Sequence, residues 1–146
     1  MRSVLLISVT FFLIGCGGGG IDPTNFFNAK EVLLNNSWYE SCGNLTTKEH
    51  KFTNSSYILT KYSDDNFEHK SNIKSYPIIS YDETGFEMKD NNIVYKCITS
   101  GAGVNSDIDT IIVNCASEDN STNFKLFMAS KTKELAKSNS HQCFDF

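Results

Sequence analysis

Between Trp38 and Ala129 the chain is a succession of short runs rich in aromatic and β-branched residues, each closed by Asn, Asp, Ser or Gly. This pattern restricts the fold more than any other feature. Parallel neighbours need a crossover of a dozen or more residues, usually a helix, and no helical spacing interrupts this region. The candidate strands are 38–42, 49–53, 57–62, 67–70, 73–81, 86–89, 93–98, 110–116 and 123–129. Two hairpins stand out. Asp90-Asn91-Asn92 separates Phe86-Glu87-Met88-Lys89 from Ile93-Val94-Tyr95-Lys96, and Asn tolerates the positive φ of tight turns. Residues 117–122 likewise separate Ile111-Ile112-Val113 from Phe124-Lys125-Leu126-Phe127-Met128. Pro77, inside an apolar run, marks an edge strand or a bulge because it has no N–H to donate. The expected fold is mainly β, an antiparallel meander of about eight strands closed as a small barrel or folded as a sandwich.

Ahead of the strands, Asp22-Pro23 offers a cap and a first helical position. Phe26, Phe27, Ala29, Leu33 and Leu34 then recur near helical spacing, which predicts a short amphipathic helix over 24–35 covering one open end. Further upstream, Met1-Arg2-Ser3 supplies a positive start, and an eleven-residue run from Val4 to Ile14 is apolar except at Ser8 and Thr10. As a helix this run reaches roughly 17 Å against about 30 Å of hydrocarbon, too short to span. Leu13-Ile14-Gly15-Cys16 follows and resembles the lipobox of bacterial lipoproteins. The resemblance implies a signal peptide over 1–15, lipidation at Cys16, a Gly-rich tether over 16–24 and a single disulfide-bonded domain over 25–146. It also implies a location in the cell envelope, anchored through lipid. Gly17, in place of an Asp after the cysteine, implies the outer membrane, on its periplasmic or surface face. Two or three acyl chains hold a protein stably where one does not.

With Cys16 carrying lipid, four cysteines remain: Cys42, Cys97, Cys115 and Cys143. An even number in an exported chain indicates two disulfides. Of the three connectivities, Cys97 with Cys115 and Cys42 with Cys143 is favoured, the first joining neighbouring strands and the second tying the first strand to the C-terminal tail. No pair has the Cys-x₂₋₄-Cys spacing of a zinc site, so no metal is expected. Cleavage after residue 15 removes Arg2 and takes the formal net charge from −4 to −5. An acidic chain without a dense Lys/Arg cluster has no electrostatic basis for binding nucleic acid.

No Gly-x-Ser-x-Gly, His-Glu-x-x-His, phosphate-loop or dinucleotide motif occurs. His50 and His69 stand beside Glu49 and Glu68, and His141 stands near Cys143, which suggests acid–base or nucleophile chemistry. Charged meanders produce such neighbours routinely, and an exported cysteine completing an even count is more often bonded. Ser63-Asp64-Asp65-Asn66 and Asp107-Ile108-Asp109 fit turns better than calcium loops. Residues 99–106 read as a mobile loop fastened by Cys97 and Cys115, and residues 130–137 as one or two helical turns.

The expected function is therefore that of a lipid-anchored, non-catalytic module binding a protein or envelope component, with no cofactor. Within that class, Tyr95-Lys96-Cys97 resembles a segment of the small disulfide-bonded β-barrel lipoproteins that inhibit lysozymes. An alternative is a carrier of a small apolar ligand. Leu33-Leu34-Asn35-Asn36-Ser37-Trp38 resembles the entry to lipocalin barrels, although Trp38 itself is expected to plug the core. Replacing Cys16 by Ser is expected to abolish membrane retention while leaving both disulfides intact, as fractionation and non-reducing peptide mapping will read out.

Overall fold

The computed structural model describes residues 28–43, 46–104, 107–118, 125–141 and 143. Helix α1 (Ala29–Leu34) precedes eight strands, β1 (Ser37–Cys42), β2 (Thr46–Phe52), β3 (Ser56–Tyr62), β4 (Lys70–Tyr81), β5 (Gly85–Asp90), β6 (Ile93–Val104), β7 (Asp107–Ser117) and β8 (Lys125–Ser130). Helix α2 (Lys133–Ser138) follows. Every strand pairs antiparallel with its neighbour in sequence, and β8 returns to β1, so the meander closes as a barrel and not as a sandwich. Among the described residues no helix is long and apolar enough to cross a membrane.

Alternation with period two decides which side chains enter the barrel. Trp38 is paired with His50 and Glu40 with Lys48 across β1 and β2, and all four are buried. Tyr57, Leu59, Phe86, Met88, Tyr95, Ile111, Val113 and Phe127 continue the buried set around the circumference. An eight-stranded barrel is just wide enough for its side chains to fill it. Here aromatic rings do so: Phe127 stacks on His50 with centroids 4.1 Å apart, and Tyr57 lies 4.9 Å from Phe52 and 5.4 Å from Tyr76. Trp38 is fully buried in the same cluster as Leu33.

The two ends are closed differently. At one end α1 lies over the opening, its N–H at Ala29 donating to the carbonyl of Glu83 and its Leu33 wholly buried. Asn28 caps it, accepting from the N–H of Glu31. At the other end the C-terminal tail lies against β1. The N–H of Gly43 donates to the carbonyl of His141 (3.0 Å), and the N–H of His141 donates to that of Ser41 (3.2 Å). Cys143 is joined there to Cys42 across 101 residues, and Cys97 is joined to Cys115, its register partner on β7. On the chain-entropy account each closure contributes on the order of 3 to 5 kcal/mol, the longer loop more.

Closure between β1 and β8 is thin: among the described residues a single pair, Tyr39 with Ser130, carries the ladder. Helix α2 packs beside this seam, where Ala136, Tyr62 and Phe67 form a small second core with Tyr39 against it. Lys133 Nζ sits 5.8 Å from the Tyr39 ring and 5.4 Å from that of Phe67.

Three sequence expectations are corrected. The strand expected over 67–70 is absent up to Lys70, which opens β4; Phe67 has φ 61° and ends a turn, its ring being drawn against α2. Residues 99–104 are not a loop, because β6 and β7 continue their ladder through Gly101–Ile111 to Val104–Asp107. Helix α1 begins at Ala29, while 24–27 and the lipobox, Cys16 included, lie outside the described residues. The Asn91 turn has the positive φ expected of it, 55°.

Gly85 pairs with Ile98 across β5 and β6, and a Cβ there falls on the carbonyl oxygen of Cys97. Gly85→Ala is expected to cost about 2–3 kcal/mol, or to prevent folding, as urea denaturation will measure.

Candidate functional site

Inside the barrel, against the β1–β8 seam, a carboxylate gathers three basic side chains. Glu40 projects inward from the middle of β1 and its side chain has no exposed surface. Its Oε2 lies 3.4 Å from Lys48 Nζ and 3.3 Å from His50 Nε2, and its Oε1 lies 3.0 Å from His141 Nε2. Lys48 and His50 come from β2, two residues apart and so on one face. His141 comes from the tail, 101 residues from Glu40 in sequence. A buried carboxylate with one fixed cation and two imidazoles against it meets the condition under which buried charge is tolerated.

The hydrogen bonds assign the protons. Glu40 can only accept, so His50 Nε2 carries a hydrogen and donates to it. The other nitrogen, Nδ1, lies 2.8 Å from Tyr57 Oη. Burial pushes the Tyr57 hydroxyl well above its usual 10.0 and pushes His50 below its usual 6.5, although Glu40 opposes the latter. The neutral His50 therefore accepts from the Tyr57 O–H through Nδ1. Burial alone raises Glu40, but the hydrogen bond from His50, the nearby cationic charge and the hydrogen bond from His141 outweigh it and hold the carboxyl below 4.5.

The Tyr57–His50–Glu40 chain has the order of a proton relay, yet Tyr57 and His50 are both fully buried. A general base must lie within reach of a substrate's proton. The hollow bounded by Glu40, Ser130 and His141 has no room for a water molecule. This arrangement stabilises charge inside a core; it does not present it. Glu40, Cys42 and Cys143 also bring ligand atoms within 4.8 Å of one another, but the two sulfurs are joined as a disulfide and supply no thiolate.

The sequence neighbours of the histidines are not their partners in space. Glu49 lies on the opposite face from His50 and accepts from Tyr62 Oη at 2.8 Å. His69 is exposed in the turn before β4, where its Nδ1 meets Asp64 and not Glu68. Asp64 organises that turn by accepting from the backbone N–H groups of Asn66, Glu68 and His69. Desolvation pushes Asp64 upward, but these bonds outweigh it and bring it down to about 2. Sequence reasoning passed over Glu40, Lys48 and Tyr57. Their signal is the alternation itself: Trp38-x-Glu40-x-Cys42 and Lys48-x-His50-x-Phe52 each place an ionisable residue in phase with core residues.

On the outside, β4 offers a different feature. It pairs with β3 from Lys70 to Pro77, but its ladder with β5 begins only at Ile78. A cleft of about 550 Å³ lies between residues 74–77 of β4 and residues 89–91 at the end of β5. Ile73 and Ile79 of β4 are more than half exposed, as is Ile98 of β6. No family model, no curated protein and no solved structure matches this chain. Geometry alone defines its class: a closed eight-stranded antiparallel barrel with a packed aromatic and ionic interior.

Glu40→Gln leaves Lys48 buried without its carboxylate and is expected to cost about 3–5 kcal/mol at pH 7, measured by urea denaturation. Stability of the unaltered protein is expected to fall with acid. Below about 6.5 the unfolded chain protonates at residue 50 while the folded one resists, and below about 4.5 folded Glu40 progressively loses its advantage. Melting temperatures between pH 8 and 4 check this. His50→Gln should flatten the part of the profile near pH 6.

Proposed function

We propose that this protein is a lipid-anchored module of the cell envelope, held through Cys16 in the outer membrane, that binds a protein or envelope partner without catalysing a reaction. The observation carrying this reading is where the apolar surface lies. Trp38, Tyr57, Phe86 and Phe127 fill the barrel with the chain's own rings, so these described interior positions are committed to packing. Large apolar side chains are nonetheless left outside on the strands, at Ile73, Ile79, Ile98 and Ile112. Ile98 pairs with Asn114 and Ile112 with Ser100, so these two are diagonal neighbours on adjoining strands, roughly 7–8 Å apart. Contiguous exposed apolar residues rimmed by polar ones are a feature of binding surfaces. The ionisable relay that could support an enzyme is sealed within the core, which favours the non-catalytic reading.

Carriage of a small apolar ligand is the competing function of such a barrel, and it calls for an interior space of a few hundred Å³ or more. The packed rings speak against it. Inhibition of a lysozyme remains a specific form of the partner-binding reading. A photo-crosslinking residue at Ile98 or Ile112 is expected to yield a discrete protein adduct in intact cells, whereas one at exposed Lys51 is not. Native mass spectrometry of the purified protein should show no retained apolar ligand. A stoichiometric ligand, with no adduct, overturns the proposal.

A further inference from the structure

The Cys42–Cys143 bond lies among side chains whose chemistry goes beyond a cross-link. Glu40 and Cys42 stand two residues apart on β1 and so on one face, and the tail brings His141 and Cys143 to the same place. The donor atoms of Glu40, Cys42 and Cys143 lie within 4.8 Å of one another. His141 Nε2 is 3.0 Å from Glu40 Oε1. In a tetrahedral zinc site, with Zn–S near 2.3 Å and Zn–N or Zn–O near 2.0 Å, neighbouring donors stand roughly 3.3 to 3.8 Å apart. Two thiolates, an imidazole and a carboxylate are a donor set suited to zinc. The bonded sulfurs need to part by about 2 Å to join it.

The His141 ring points to a cation independently. Its Nδ1 lies 3.1 Å from the carbonyl oxygen of Asn139, and its Nε2 faces the Glu40 carboxylate. Both neighbours are acceptors, so each ring nitrogen must present a positive centre. At Nδ1 that is a hydrogen; at Nε2 it is a hydrogen or a metal ion. An Nδ1–H donated to a backbone carbonyl is how metal-ligating histidines are held in the tautomer that coordinates through Nε2. Glu40 Oε2 is held by Lys48 and His50, as the outer oxygen of a ligating carboxylate is. Two thiolates and a carboxylate around Zn²⁺ leave one negative charge, which Lys48 offsets. Opening the disulfide leaves other ties on the tail: Gly43 N–H still donates to the His141 carbonyl, and His141 N–H to that of Ser41. A reductant must reach a sulfur to attack it. Cys97 and Cys115 are sealed in the barrel, whereas Cys143 is partly exposed.

We propose that Cys42 and Cys143, once reduced, form with Glu40 and His141 a four-donor site for a zinc ion. A dithiol reductant attacks Cys143 Sγ as a thiolate, the Cys42–Cys143 bond breaks, and a mixed disulfide forms. The reductant's second thiol then closes on its first sulfur and leaves as a disulfide. Two electrons pass from the dithiol to the protein, and its two protons end on Cys42 and Cys143. Zinc displaces both thiol protons and the hydrogen of His141 Nε2 to solvent, and is bound by the two sulfurs, Nε2 and Glu40 Oε1. The ion takes over the clasp that reduction opens and keeps the tail against the β1–β8 seam.

The test uses the full chain in mild detergent, reduced with dithiothreitol and desalted without oxygen, and Co²⁺ as a spectroscopic substitute for Zn²⁺. One equivalent of Co²⁺ is expected to give the visible bands of tetrahedral coordination and a near-ultraviolet thiolate-to-cobalt charge-transfer band. One equivalent of Zn²⁺ should erase both, and the oxidised protein should show neither. Alkylation mapping should find Cys42 and Cys143 free and Cys97 still joined to Cys115. His141→Ala should weaken Zn²⁺ binding, in competition with a chromogenic chelator, by at least the roughly tenfold that loss of an outer-shell partner costs. The charge-transfer band should survive that change. Cys42→Ser with Cys143→Ser should abolish binding; should that variant not fold, alkylating the reduced thiols before adding Co²⁺ makes the same comparison. Reduced protein that binds no Co²⁺, or binds it without the charge-transfer band, overturns the proposal. So does binding that survives loss of Cys42 and Cys143, or an affinity that His141→Ala leaves unchanged. Collapse of the barrel's far-ultraviolet circular dichroism on reduction in the presence of Zn²⁺ overturns it as well, since the thiols are then those of an unfolded chain.

Discussion

The Glu40 carboxylate is the constraint around which the barrel is arranged. A lone ionised carboxyl in such an interior would cost several kcal/mol, so it is tolerated only with partners, and the partners come from distant parts of the chain. Lys48 and His50 bind it from β2, and His141 binds it from the tail. The hairpin register that pairs Glu40 with Lys48 and the path that brings His141 back to β1 therefore satisfy the same charge. His50 extends the arrangement to Tyr57 on β3 and, by stacking, to Phe127 on β8. Polar and aromatic packing are thus one network here, centred on a side chain that reaches no solvent.

That network lies where closure is weakest. Among the described residues a single pair joins β1 to β8, and side chains and what packs over the seam add to it. Ala136 of α2 buries itself beside Tyr62 and Phe67, Asn139 reaches Ser130, and His141 reaches Glu40. The Cys42–Cys143 bond then keeps the tail in place at the same end. Covalent closure and ionic closure reinforce each other: the disulfide raises the effective concentration of His141 at Glu40, and the buried ion pair resists withdrawal of the tail.

An interior committed to packing leaves the outer wall as the accessible surface. Among the described residues the first half of β4 lacks a ladder partner on the β5 side for a local reason, the short β5 and its Asn91–Asn92 turn, and β6 beyond Ile98 likewise runs on past β5. Lysines and a proline stand along the β4 edge, residues that also keep an open edge from pairing indiscriminately.

The antiparallel meander, the positive φ at Asn91 and the special position of Pro77 were legible in the sequence, because turn chemistry and period-two alternation are local properties of the backbone. The two-disulfide count was equally legible, as arithmetic on four cysteines. The strand lengths of β6 and β7 were not: Ser100-Gly101-Ala102-Gly103 has weak strand propensity and is held by the facing strand, a tertiary effect that overrides propensity. Phe67 misled for the converse reason, since an aromatic expected in a strand was instead drawn out of the ladder by α2. Barrel closure, the convergence of His50 and His141 on Glu40, and the open edge of β4 were decided by tertiary structure alone. Each depends on which residues meet across the chain, and one residue of register would turn Glu40 to solvent and leave its partners behind.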